Sequence, residues 1–178
     1  MSQFDEIKAT FWSDDPYGVQ APLTDEMVAE AERVLQVRLP STLLELLRVQ
    51  NGGMVAEEWN AFATREPTSW AHDHVPLTDL AGIGRADDAL SLLESPYLTQ
   101  EWGLPEAVVL LSGDGHTWIA LDYRVCGPTG EPSVTWLDAE LQEESSLAAN
   151  FRSFVEGLAP ERDFPVDVGD ERPAQDDK

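Results

Sequence analysis

Three polar residues that could perform acid–base chemistry lie close together in the second half of the chain. Asp114 and His116 flank Gly115, and Asp122 follows six residues later. A carboxylate beside an imidazole is a common arrangement for general acid–base catalysis. Aspartate and glycine are also the residues that tight turns need, and Gly113 completes that pattern. No serine or cysteine lies in a nucleophile motif of the G-x-S-x-G kind. We therefore favour a structural turn and expect no catalytic residue, with a small enzyme as the least favoured alternative.

Metal and phosphate sites receive little support from the sequence. His72 and His74 are separated by one residue, which suits two ligands on one strand face, but no third ligand is apparent. Cys126 is the only cysteine, so neither an intramolecular disulfide nor a multi-cysteine zinc site is possible. The glycines of residues 51–53 close a helix and no lysine follows them, unlike a phosphate-binding loop. We expect no metal and no cofactor.

The charge of the chain restricts its partners. Asp and Glu number 34 against 11 Lys and Arg, which gives a net charge of −23 that is spread over every section of the sequence. Such a protein repels nucleic acid and anionic lipid and attracts basic proteins. No apolar run approaches the ~20 residues of a spanning helix, and the first ten residues lack a secretory pattern. We expect a cytoplasmic protein with a basic protein partner; the alternative is that the charge only maintains solubility.

Helical signals dominate the first third of the chain. Three aromatic residues within positions 4–12 predict a short helix that docks on a core. Thr24 is a suitable N-cap for an amphipathic helix. The helix ends before Pro40, because the residue that precedes a proline is disfavoured in the α-helical conformation. A second helix follows, for which Thr42 and Glu45 predict a capping box, and residues 51–53 end it with a glycine available for a left-handed cap. These signals predict a helix–helix hairpin.

A β-meander is predicted for the second half. Residues 107–111, 117–123 and 134–138 have strand patterns, and residues 112–116 form the first turn. A last helix is predicted from Ser145 or Ser146 onwards. Between these regions, residues 75–83 are a possible strand and 87–93 a possible helix. We expect an α+β fold in which an antiparallel β-meander sheet packs with an N-terminal helical hairpin and a C-terminal helix. Residues 1–160 form one domain, and 161–178 are an acidic, mobile tail.

The tryptophans suggest where a partner binds, because tryptophan is enriched at binding hot spots. Of the six, Trp12, Trp102 and Trp136 are assigned to the core, and the others lie beside acidic or turn segments. Loops usually carry recognition residues. The predicted partner-binding surface consists of Glu57, Glu58, Trp59, Trp70, Asp73, Asp114 and Trp118.

Four segments, in order, resemble the SUKH superfamily, which includes the fungal cell-wall-assembly regulator domain. They are the helix followed by residues 37–40 (Val-Arg-Leu-Pro), the helix that runs into 51–53 (Asn-Gly-Gly), the strands and Gly-Asp-Gly turn of 108–123, and residues 131–138 with the last helix. Residues 54–103 have no firm counterpart. The resemblance implies an antiparallel sheet with helices and no conserved catalytic machinery. It also implies an immunity protein that neutralises a polymorphic toxin, often a nuclease; the alternative is a regulatory scaffold with a housekeeping partner.

Overall fold

The structure is a computed structural model that describes residues 2–85 and 89–165. The helices are α1 (Gln3–Thr10), α2 (Asp25–Leu35), α3 (Ser41–Val49), α4 (Ser95–Glu101) and α5 (Phe151–Glu156). The strands are β1 (Gly53–Met54), β2 (Ala61–Ala63), β3 (His74–Pro76), β4 (Asp79–Leu80), β5 (Val108–Gly113), β6 (Thr117–Asp122), β7 (Ser133–Asp138), β8 (Glu143–Ala148) and β9 (Leu158–Ala159).

The predicted meander is the largest sheet among the described residues. Strands β5, β6, β7 and β8 pair in that order, and every pairing is antiparallel. Because side chains alternate across a strand, β6 places Ile119 and Leu121 in the main core and Trp118 and Ala120 in a second, smaller cluster. The described residues also form two short sheets, one with β1 paired to β4 and one with the strand order β3–β2–β9. The α+β class and the meander are confirmed.

The N-terminal helices follow the predicted pattern with one exception. Helix α1 buries Phe4 and Ile7, and the Thr24 side chain caps α2 by accepting the N–H of Met27, as predicted. The Thr42–Glu45 capping box is wrong. Helix α3 begins at Ser41 directly after Pro40 and has no side-chain cap, so Thr42 already lies inside the first turn. The helical hairpin itself is confirmed.

Asn51 joins three segments of the chain at the end of α3. Its side-chain amide donates to the carbonyls of Ala21 and Ile83, both at 2.7 Å, and its Oδ1 accepts the N–H of Ile83 at 2.8 Å. A Cβ atom on Gly82 would lie 2.4 Å from the Asn51 carbonyl oxygen, so only glycine fits there. The predicted left-handed glycine cap is wrong, because α3 ends on extended Gln50. The segment serves long-range packing instead.

Other predicted boundaries also change. The strand predicted at 75–83 is divided between β3 and β4, and α4 was not predicted. The last helix begins at Phe151, with Asn150 as its N-cap, because residues 143–148 form strand β8 on the edge of the meander. Of the helix predicted at 87–93, the described part contains only the start of a 3₁₀ turn at Leu92, and residues 87 and 88 lie outside the described residues.

The predicted tail begins with residues that contact the domain. Residues 161–163 form a 3₁₀ turn, and the Glu161 N–H donates to Asn60 Oδ1 at 2.8 Å. The Phe164 ring stacks on His74 with 4.5 Å between ring centroids. Residues 166–178 lie outside the described residues. The packed part of the chain therefore extends at least to Phe164.

We expect Asn51→Ala to lower the free energy of unfolding by about 3 kcal/mol, because it leaves one buried N–H donor and two carbonyls without their partner. Asn150→Ala is the matched control: the same substitution removes an exposed N-cap and should cost about 1 kcal/mol. Urea unfolding of both variants measures the difference. A loss for Asn51→Ala no larger than that of the control would contradict this role.

Candidate protein-binding surface

The loop between β5 and β6 is a structural turn. Asp114 Oδ1 accepts the backbone N–H groups of His116 and Thr117, both at 2.9 Å, and Gly115 has φ of +101°. Partial burial alone would raise the pKa of Asp114, but these backbone donors lower it below its usual value. The carboxylate is therefore charged and occupied in holding the turn. The predicted hairpin turn is confirmed.

The structure separates Asp122 from the other two residues of the acid–base alternative, Asp114 and His116. Asp122 lies at the opposite end of the six-residue strand β6 from the turn, roughly 17 Å along the strand. Its carboxylate binds Arg124, with 2.7 Å from Nη2 to Oδ2, and accepts the Thr135 hydroxyl at 3.2 Å. His116 instead packs edge-on against Trp102. The three residues therefore cannot act on one substrate atom.

The two histidines of the 72–74 segment have different surroundings. His72 is exposed, whereas the His74 ring lies between the carboxylates of Asp73 and Glu161, at 2.9 Å from Nδ1 and 3.1 Å from Nε2. Within residues 2–85 and 89–165, no three His, Cys, Asp or Glu side chains are grouped so as to hold a metal ion. His74 thus attaches the chain after β9 to strand β3.

Five of the seven predicted surface residues line two clefts, and Glu58 and Trp59 line neither. The terminal cleft, about 700 Å³, includes Glu57 and Asp73 in its lining. The meander cleft, about 360 Å³, includes Trp70, Asp114 and Trp118. Lining residues of the terminal cleft are Glu57, Asn60, Ala71, His72, Asp73, His74, Glu161, Arg162, Phe164 and Pro165. Those of the meander cleft are Tyr17, Met54, Trp70, Pro76, Thr78, Asp79, Ser112, Gly113, Asp114, Thr117, Trp118, Ile119 and Trp136.

The exposure of three tryptophans differs from the prediction. Trp118 was included in the predicted partner-binding surface but is only 4% exposed, because its position on β6 faces the second core cluster. Trp59 is half-buried: it packs against the main core, and its indole N–H donates to Thr10 Oγ1 at 3.1 Å. Trp102, assigned to the core, is 38% exposed because it follows the end of α4. Glu58 is exposed as predicted.

Trp70 is the most exposed tryptophan of the described chain, at 47%. Its loop is held by hydrogen bonds of the two residues that precede it. The Ser69 hydroxyl donates to Asp138 at the end of β7, and Thr68 Oγ1 accepts the backbone N–H of Trp70 at 3.2 Å. These bonds hold an aromatic ring at the mouth of the meander cleft without burying it.

Asp79 is a cleft residue that the sequence did not single out. A register shift between Leu110 and Ser112 pairs Ser112 with Ile119, so the serine side chain lies on the main-core face of the sheet. There its hydroxyl donates to Asp79 Oδ1 at 2.7 Å. Burial raises the pKa of Asp79, and the Ser112 hydrogen bond opposes that rise only in part. A single aspartate in a two-residue strand gave no local signal of this burial.

The meander cleft has a distinct electrostatic character. Among residues 2–85 and 89–165, its lining contains Asp79 and Asp114 and no lysine, arginine or histidine. The indole N–H of Trp118 is buried and has no acceptor among the described residues. By contrast, the lining of the terminal cleft includes Arg162 and two histidines. Aromatic surface is therefore concentrated in the meander cleft, and its two carboxylates have no cationic side chain beside them in the described lining.

Comparison with known proteins adds one relationship. A family model described as the SMI1 / KNR4 family (SUKH-1) matches residues 22–157 of the 178-residue chain. The match covers α2 to α5. It includes the β1–β4 sheet, the β2–β3 pair and the whole meander, and it ends before β9. A search of the curated proteins gives no match. In the described part of the chain, no helix is both long and apolar enough to cross a membrane.

We expect Asp79→Asn to stabilise the fold at neutral pH. Because the folded-state pKa of Asp79 is raised, ionisation of this carboxyl costs stability as pH rises through and above its ordinary value of 3.8. Asparagine stays neutral and can still accept the Ser112 hydroxyl. The free energy of unfolding of the variant, relative to the parent protein, should therefore rise as pH increases through the ordinary pKa of 3.8 and level off above the raised folded-state pKa.

Asp114→Asn is the control of opposite sign. The folded-state pKa of Asp114 is lowered, so its charge contributes stability that is present above the ordinary pKa and lost as pH falls. This variant should be less stable than the parent at neutral pH and approach it in acid. Chemical denaturation across the pH range measures both. A pH-independent difference for Asp79→Asn would contradict an ionised, buried carboxylate.

Proposed function

The chain belongs to the SMI1/KNR4 family (SUKH-1), and from that membership we propose that it is a non-catalytic protein-binding domain that acts in the cytoplasm. Its partner is a basic toxin domain, of the nuclease kind, which it neutralises by direct binding as an immunity protein. The net charge of −23 is the observation that carries this proposal. A nuclease needs a basic cleft to hold phosphates, and an acidic protein is complementary to it.

The arrangement of polar groups supports binding over catalysis. Asp114 holds a turn and Asp122 is paired with Arg124 at the far end of β6. Their hydrogen-bonding capacity is used within the domain, so neither is positioned as a general base. Exposed acidic and aromatic side chains remain, namely Glu57 and Trp70 in the clefts and Glu58 beside Glu57 in the chain. Binding surfaces commonly combine aromatic anchors with a charged rim.

The direct test uses the toxin domain encoded beside this gene. The purified protein should form a stoichiometric complex with that domain and suppress its nuclease activity. Complex formation is measured by calorimetry, and suppression by a nucleic-acid cleavage assay. Failure to bind any neighbouring toxin, together with capture of a housekeeping protein by the endogenous chain, would favour the regulatory scaffold instead.

We expect association to depend strongly on salt. Charge of one sign speeds encounter with a complementary partner, and raising the salt from low to physiological shortens the Debye length to about 8 Å. The association rate constant, measured by stopped flow, should fall by about ten-fold or more over that range. An association rate that does not change with salt would leave the acidic surface as a solubility feature.

The charge reversal Glu57→Lys with Glu58→Lys tests whether the 3₁₀ helix of residues 57–59 faces the partner. It should slow association well beyond the effect of Glu26→Lys with Glu30→Lys on helix α2, a double reversal that changes the net charge equally and lines neither cleft. Equal effects of the two double variants would show that only the overall charge matters. Circular dichroism confirms that both remain folded.

A further inference from the structure

We propose that the meander cleft is the anchor site for an arginine side chain of the basic protein partner. This inference rests on the proposed function, since it names the chemical group by which that partner is recognised. The observations behind it are the aromatic lining of the cleft, its two carboxylates and the lack of any cationic side chain in that lining.

The aromatic lining suits a planar cation. Tyr17 and Trp70 are 53% and 47% exposed, and Trp118 and Trp136 line the same cleft from the strands. The electron-rich faces of indole and phenol rings attract cations, and the flat guanidinium group also stacks on them. The bonds of Thr68 and Ser69 fix the Trp70 loop before any partner arrives. A loop that is held in place before binding loses little conformational entropy on binding.

The charge of the cleft is unbalanced within the domain. Asp122, which is buried, has Arg124 as its counter-ion, whereas the partly buried Asp79 carboxylate is hydrogen-bonded to a neutral serine hydroxyl. Asp114 adds a second negative charge at the lining. A guanidinium that enters the cleft would supply the missing counter-charge and can donate two parallel hydrogen bonds to a carboxylate.

Arginine fits these features better than lysine does. Its group is planar, weakly hydrated and able to stack and to bind a carboxylate at the same time, while the lysine ammonium is a compact, strongly hydrated charge. The volume of about 360 Å³ is near the lower end of ligand pockets, which suits one side chain better than a folded segment. Arginine is also enriched among binding hot spots.

The test uses the intact protein and a small probe, Nα-acetyl-L-arginine amide. Titration is followed by the indole N–H resonances of the tryptophans in a ¹⁵N-labelled sample. Saturable shifts of the Trp70 and Trp118 resonances are expected. Asp79→Asn and Trp70→Ala should each weaken binding by about ten-fold or more, whereas Glu57→Gln, an acidic residue of the terminal cleft, should change it by less than about two-fold.

Three results would overturn the inference. The first is equal binding of the citrulline analogue, which has the shape of arginine without its charge. The second is equal or tighter binding of Nα-acetyl-L-lysine amide, and the third is an equal loss of binding in Asp79→Asn and Glu57→Gln. Because Asp79→Asn is expected to be at least as stable as the parent at neutral pH, its loss of binding would not reflect unfolding.

The toxin complex separates this inference from the proposed function. Arginine-amide binding without any toxin complex would overturn the proposed function and leave the cation site in place. A toxin complex that dissociates at the same rate from the parent and from Asp79→Asn would overturn the inference and leave the proposed function in place. An increase of about ten-fold or more in the dissociation rate of that variant supports both.

Discussion

The buried side chain of Asn51 is the constraint on which the arrangement of the first half of the domain depends. It holds the end of α3, the chain at Ala21 and the chain at Ile83 together through bonds of 2.7 to 2.8 Å. Its carbonyl also accepts the Gln20 N–H at 2.8 Å. Because the contacts require glycine at position 82, the three segments can approach only in this one way. This is a local polar network inside an otherwise apolar core, and each of its groups is costly to leave unpaired.

The position of the meander cleft follows from that constraint. Strand β1 begins two residues after Asn51 and pairs with β4, so Gly53 lies opposite Leu80 and Met54 opposite Asp79. The Asp79 carboxylate is thereby directed to the meander, where the irregularity in β5 presents the Ser112 hydroxyl. The carboxylate is therefore placed by backbone pairing on one side and by a bulge on the other. Neither depends on an ion pair within the domain.

Features encoded by local signals were predictable, and features encoded by distant contacts were not. The Thr24 cap, the Asp-Gly turn before β6 and the alternation of Ile119 and Leu121 each depend on residues within one element, and each was predicted. The second half of strand β8 was predicted as the start of the last helix, from Ser145 or Ser146 onwards, because residues 143–148 include no β-branched side chain that would favour a strand. It is a strand because β7 offers a free edge for backbone hydrogen bonds.

The candidate site was predictable in its composition but not in its geometry. Trp70 and Asp114 were identified by residue type and by their turn-rich surroundings, and both line the meander cleft. Trp118 lines it too, but as a buried residue, because strand alternation places it over the second cluster. Asp79 was missed because its burial results from pairing between segments about thirty residues apart in sequence. Tertiary pairing, which leaves no periodic trace in the sequence, decides which aspartate is buried.

A partly buried carboxylate with no counter-ion among the described residues is unfavourable for the folded protein alone. Two alternatives would avoid this destabilisation. Asparagine at position 79 would still accept the Ser112 hydroxyl, and a nearby arginine would neutralise the charge as Arg124 does for Asp122. Neither is present, although five basic residues of the described chain pair with acids elsewhere, such as Lys8 with Glu45. Functional sites are where proteins tolerate such a cost, because the interaction that repays it comes from a partner. The stability that Asp79 costs the free protein is then recovered when a cation binds beside it. An acidic surface alone would attract that cation without orienting it.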